Sequence, residues 1–214
     1  MPNTRFILCF AVVLILTATL VVPAAHGDTI AVTFSSTPTS FRPNGDQTRG
    51  WEFSTSMPIN VTALGLWDFN GDGFANAHQV GIWNTSSVLL TSLTLASGTS
   101  APLIGPDSFR FEMLGTPLFL AAGTYRIGAA YIVGDADFVA FQAGPVGAQG
   151  ITYIGSRLND GGFGDPNLPS AATGGAFGPN FLFTFTPAPV SEPSNFLLLS
   201  TGMFGLVVRT RRNR

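Results

Sequence analysis

The chain has 214 residues, 45% of them hydrophobic and only 10% charged, and carries a formal net charge of −2. It has no lysine, and between Asp28 and Val190 five arginines (42, 49, 110, 126 and 157) face eleven acids, which leaves that stretch at −6. An acidic body without basic clusters argues against nucleic acid as a partner, because phosphates require neutralising cations.

The N-terminus, MPNTRFILCFAVVLILTATLVVPAAHGD, reads as a secretory signal peptide over 1–27. Arg5 and the α-amino group form its positive region, Phe6 to Val22 its apolar run, and Pro23 ends the helix. Ala25 and Gly27 stand at −3 and −1 of a cleavage site before Asp28, so export machinery and signal peptidase are expected partners. Cys9, the single cysteine, lies early in the apolar run, and His26 leaves with the leader. The mature chain then has no disulfide, no thiolate and one histidine, His78, which removes most zinc chemistry but not all-oxygen calcium sites.

Residues 28–187 are long enough for one domain with a real core. Their periodicity is that of strands, in INVTALGLW (59–67), QVGIW (79–83), VLLTSLTL (88–95), FRFE (109–112), TYRIGAAYIV (124–133), FVAF (138–141), ITYIGS (151–156) and FLFTFT (181–186). In the first of these, alternation places Ile59, Val61, Ala63, Gly65 and Trp67 on one side. Eight or nine short strands between turn signals predict an all-β fold, an antiparallel β-sandwich of jelly-roll type. The many Phe and the three Trp are expected in its core, with a sugar-stacking platform on one sheet face as the alternative.

WDFNGDGFANAHQ (67–79) holds the richest polar constellation. Asp68, Asn70, Asp72 and Gly73 reproduce the start of an EF-hand loop, but position twelve falls on Gln79 where a bidentate Glu is required, and the flanks are strands. Two readings remain: a weak calcium-binding hairpin loop, and a polar turn in which Asp and Asn bond their own backbone, the simpler of the two. His78 comes next, with no G-x-S-x-G elbow in the chain to make it a triad base. Asp135, Asp137, Asp160 and Asp165 are the acids from which a glycosidase pair would be drawn. From Gly155 to Asn180 the composition turns to Gly, Pro, Asn and Ser, a long loop.

At the C-terminus VSEP (Val190, Ser191, Glu192, Pro193) is followed by a thirteen-residue apolar run, 196–208, and then by RTRRNR with Arg209, Arg211, Arg212 and Arg214. At about 1.5 Å per residue the run covers roughly 20 Å, short of a hydrocarbon core of about 30 Å. Signature, short apolar helix and basic end resemble the PEP-CTERM sorting signal of exported proteins in exopolysaccharide-producing Gram-negative bacteria, with Ser191 in place of the usual first proline. The resemblance assigns 188–214 to a sorting signal handled by an exosortase near Glu192 and Pro193, with transient inner-membrane anchoring through 196–208. The body is also similar, in VTALGLWDFNGDGF, HQVGIWN, LAAGTYRIG and FGPNFLF, to uncharacterised domains found in such proteins. The expectation is a non-enzymatic surface or matrix protein whose body binds exopolysaccharide or self-associates, with a secreted polysaccharide hydrolase or a calcium-dependent adhesin as alternatives.

Overall fold

The structure, a computed structural model, describes residues 27–170 and 175–186. Ala25 of the expected leader and the whole of the expected sorting signal lie outside the described residues, including Val190, Ser191, Glu192, Pro193, Arg209, Arg211, Arg212 and Arg214. Gly27 is exposed, ahead of the first strand.

The strands are β1 (Thr29–Ile30), β2 (Val32–Phe34), β3 (Thr39–Phe41), β4 (Gln47–Thr55), β5 (Ile59–Trp67), β6 (His78–Asn84), β7 (Leu89–Leu95), β8 (Leu103–Ile104), β9 (Phe109–Leu120), β10 (Gly123–Tyr131), β11 (Val139–Phe141), β12 (Pro145–Gly147), β13 (Ile151–Asp160), β14 (Leu168–Pro169), β15 (Ala176–Phe177) and β16 (Pro179–Phe185). A single 3₁₀ turn, Phe69–Gly71, is the one helical element among the described residues. Two large antiparallel sheets, β1-β16-β5-β9-β8 and β14-β13-β4-β10-β6-β7, are accompanied by the small pairings β15-β11-β3 and β12-β2. The fold is all-β and antiparallel, consistent with a β-sandwich.

The core lies between the large sheets. Trp51 and Phe53 of β4 point at Phe181 of β16, with ring centroids 6.0 Å and 4.9 Å away. The indole N–H of Trp51 donates to the Pro179 carbonyl at 2.7 Å, so the largest buried side chain leaves no polar atom unpaired. The sequence expectation had no strand at 47–55. Its inward positions are Gln47, Arg49, Trp51, Phe53 and Thr55, too polar for an apolar alternation to show.

The expected single face of β5 is also corrected. Register skips Thr62 against both neighbouring strands, so Ile59 and Val61 share a side with Leu64 and Leu66, while Ala63, Gly65 and Trp67 turn the other way. That bulge leaves Ala63 through Trp67 buried on both faces, the inner one by the opposite sheet and the outer one by β2. The buried Asn180 amide holds β2 in place: it accepts from the Val32 N–H (3.3 Å) and donates to the Val32 carbonyl (2.7 Å).

The Gly-rich segment is shorter than expected, because β13 runs on to Asp160. Beyond it, residues 161–166 strap the outer face of the larger sheet. Gly50, Gly128 and Gly81 lie side by side in register on β4, β10 and β6, forming a trough. A Cβ on Gly81 would meet the Phe163 ring at 2.9 Å, and one on Gly128 would meet Pro166 at 3.0 Å. Thr48 fastens the strap by donating to the Gly162 carbonyl (2.6 Å) and accepting from the Gly164 N–H (3.0 Å). Asp165 bonds Arg126, which lies near Glu52. Glycine inside a strand weakens it, and here the gain is close approach of another segment.

Candidate functional site

At one end of the molecule the 68–73 turn, the 135–138 loop and the segments 35–38 and 105–108 enclose two adjoining clefts. The larger, about 450 Å³, is floored by Phe34, Trp67 and Phe69 and edged by Ser35, Ser36, Thr37, Asp107 and Ser108. The second, about 340 Å³, is lined by Phe69, Phe138, Arg42, Asp72 and Asp137. Phe69 and Asn70 belong to both.

The floor is a chain of touching rings. Phe34 meets Trp67 edge-on (6.4 Å), Trp67 meets Phe69 (5.5 Å), and Phe69 meets Phe138 (4.8 Å). The Arg42 guanidinium then lies 4.5 Å over the Phe138 ring and donates to the Ala136 carbonyl at 3.1 Å. Phe34, Phe69 and Phe138 are half-buried, so each is held by packing and still presents surface.

The shared wall comes from the turn the sequence singled out. Asp68 is buried and bonds inward: its carboxylate accepts from the Gly73 N–H (3.0 and 3.2 Å) and from Arg110 Nε (2.6 Å). Arg110, 5% exposed, spends its other donors on the carbonyls of Thr99 (3.3 Å), Ala101 (2.9 Å) and Gly71 (2.9 Å). A charged pair this enclosed is tolerable because nearby carbonyls and amides satisfy both members. Asn70, with φ of 68°, and Gly73, with φ of 103°, make the left-handed bends that fold the turn around that carboxylate. Of the three residues expected in a calcium loop, Asp68 thus faces the interior, while Asn70 and Asp72 are exposed. The stretch has the chemistry of a polar turn.

His78, 1% exposed, clasps the other wall. Its Nδ1 lies 2.9 Å from the Ala130 carbonyl and its Nε2 2.8 Å from Asp137 Oδ2. Both ring nitrogens face acceptors, so only the doubly protonated imidazolium satisfies both. Burial opposes that charge, but the bonds to Asp137 and Ala130, with the nearby Asp135 and Asp137 carboxylates, outweigh it and raise the His78 pKa above its ordinary value. Asp137 is the mirror case. Burial pushes its pKa up, while His78 and the N–H groups of Ala75 and Asn76 (both 3.0 Å) more than compensate and lower it. Asp135 accepts from Asn76 Nδ2 and from the Asp137 N–H, both at 3.0 Å.

The chain matches no family model, and no curated protein is similar to it.

The four acids expected to supply a catalytic pair divide among three places. Asp135 and Asp137 belong to the His78 clasp. Asp165 is bound to Arg126 under the strap, and Asp160 ends β13 opposite Gln47. His78, Asp135 and Asp137 lie close enough to suggest a metal, but the carboxylates approach different ring nitrogens: Asp137 is on Nε2, while Asp135 Oδ2 is 3.9 Å from an Nδ1 already bonded to Ala130. The clasp holds two loops together. Of the cleft residues, Phe69 and Phe138 fall inside the 67–79 and 138–141 stretches without standing out there as site residues, and Phe34, Arg42 and Asp107 carry no signal of their own in the sequence.

Proposed function

We propose that the protein is an exported, non-enzymatic polysaccharide-binding β-sandwich, delivered to the cell surface or extracellular matrix by its C-terminal sorting signal. The observation that carries the binding reading is the unbroken chain of rings from Phe34 to Phe138 under two clefts that meet at Phe69 and Asn70. Sugar rings offer apolar faces and hydroxyl edges; the clefts offer ring surface beside Ser, Asn and Asp acceptors. Asp137, held ionised, is not suited to protonate a leaving group, which favours a binder over a hydrolase.

The jelly-roll reading has support in the strand order. Set aside the β13–β14 edge and the short β8, and the large sheets read β1-β16-β5-β9 and β4-β10-β6-β7, two four-stranded sheets in which every consecutive connection except the β6–β7 hairpin passes from one sheet to the other, as in paired Greek keys. Export rests on the 1–27 leader and sorting on the tail. Arginines 209, 211, 212 and 214 stay cytoplasmic by the positive-inside rule, and a short helix under mismatch suits a transient anchor for exosortase.

Two measurements test the proposal. Retardation of the full chain in gels containing exopolysaccharide from the host should weaken about tenfold in Phe69→Ala, the loss of a ring contact of roughly 1.4 kcal/mol. Asn70→Gly, which keeps the left-handed backbone, should weaken it with unchanged thermal stability; equal retardation of all three chains would sink the cleft. Intact mass of the protein recovered from its native cells should show loss of the residues after the Glu192–Pro193 region, and retention of Arg214 would refute sorting.

A further inference from the structure

The charge of the clefts narrows the ligand. Asp72 is exposed and Asp107 half-buried, one in each cleft, and Asp137 is held ionised at the wall of the smaller one. Asp137 is paired with the protonated His78, so the charges left to the clefts are the carboxylates of Asp72 and Asp107 against a single cation among the described lining residues, Arg42. A chain carrying uronate carboxylates would bring like charge to this surface, at a cost; a chain carrying ammonium groups would be drawn to it.

Arg42 supplies a second, independent observation. Its guanidinium lies over the Phe138 face, 4.5 Å from the centroid, and donates to the Ala136 carbonyl at 3.1 Å. The cleft is therefore already furnished for a cation, with a ring face below and a carbonyl and carboxylates at the edge, and an exposed side chain of the protein occupies that place. A protonated amine on a sugar presents the same chemistry, a compact positive donor beside an apolar ring.

Building on the proposed cleft, we infer that its ligand is a glycan bearing free amino groups, and that Arg42 is the intramolecular occupant this glycan displaces. The assay is calorimetric binding of the full chain to three oligosaccharides of matched length: deacetylated β-1,4-glucosamine, its N-acetylated form, and oligogalacturonate. The deacetylated form should bind most tightly and the uronate least, with the spread shrinking as salt rises. Asp72→Asn should lower affinity for the deacetylated form by about threefold, the scale of one exposed charge pair, and leave the N-acetylated form unchanged. Arg42→Gln should raise affinity for the deacetylated form by about the same factor, since a competing cation is gone. Glu112→Gln, an exposed acid on β9 outside both clefts, should change nothing.

Equal or tighter binding of the N-acetylated or uronate chain overturns the inference. So does an effect of Glu112→Gln as large as that of Asp72→Asn, which would mean that bulk charge alone is at work, or weaker binding in Arg42→Gln. If none of the three binds and host exopolysaccharide is not retarded either, the polysaccharide reading falls with it; retardation without amine preference removes only the inference.

Discussion

Replacing His78 by glutamine tests the clasp most directly. In the wild type one side chain makes a charged hydrogen bond to Asp137 and a second bond to the Ala130 carbonyl while 1% exposed. A charge-assisted bond contributes about 1.5–3 kcal/mol and a neutral one about 1. Asp137 keeps two backbone donors in the variant, so the full penalty of an orphaned buried carboxylate does not apply. The expected loss is about 3 kcal/mol, or roughly 6–12 °C in Tm for a domain of this size. The sign of the pH dependence comes from the directions of the two shifts. The pKa of His78 is raised, so its contribution is complete below about pH 6.5 and is lost as pH climbs through the folded-state value. The pKa of Asp137 is lowered, so its contribution is present above about pH 3.9 and is lost as pH falls through its own folded value. Urea unfolding at a series of pH values should show wild-type stability declining on the alkaline side, with that limb missing in His78→Gln. The reasoning fails if the limb persists unchanged in the variant, or if the His78 ring protons titrate by NMR at or below the ordinary imidazole midpoint.

Asp68→Ala should cost about 3–5 kcal/mol by leaving Arg110 charged and buried, read as a lower urea midpoint at constant m; Asp68→Asn should fall between it and the wild type. Gly128→Val should cost about 1–3 kcal/mol by overpacking, because even a Cβ there meets Thr48 Cγ2 at 2.5 Å, and should open the strap to chymotryptic cleavage at Phe163. Millimolar calcium should leave the thermal midpoint unchanged, since the Asp68 oxygens are already engaged; a rise abolished by Asp72→Ala would restore the calcium-loop reading.

Where burial is one-sided and the apolar residues alternate, the sequence is legible. β5 runs over the nine residues expected of it, and β6, β7 and β16 differ by a residue or two at their ends. The bulge at Thr62 was not readable, because it is imposed by two partner strands and not by the residue itself. β4 was missed because Gln47 and Arg49, on its inward side, find polar company inside the fold. In the candidate site, turn chemistry at 68–73 follows from residue type, but the partner of Asp68 comes from β9 and that of His78 from a loop beyond β10. Such pairings are set by topology, which local pattern does not contain. The aromatic floor is hidden for the same reason: Phe34 and Phe138 reach it from parts of the chain distant from Trp67 and Phe69.

The glycine trough has a consequence for how the sheet comes together. Gly50, Gly81 and Gly128 come from distant segments, and their row exists only when β4, β6 and β10 are paired in native alignment. A slip of one residue in any of them would turn its inward side chains outward, putting Arg49 or Trp51, Val80 or Ile82, or Ile127 or Ala129 where a glycine belongs. Phe163 and Pro166 would then have no seat. The strap therefore checks alignment: its seat is complete only where all three strands are paired in the native register.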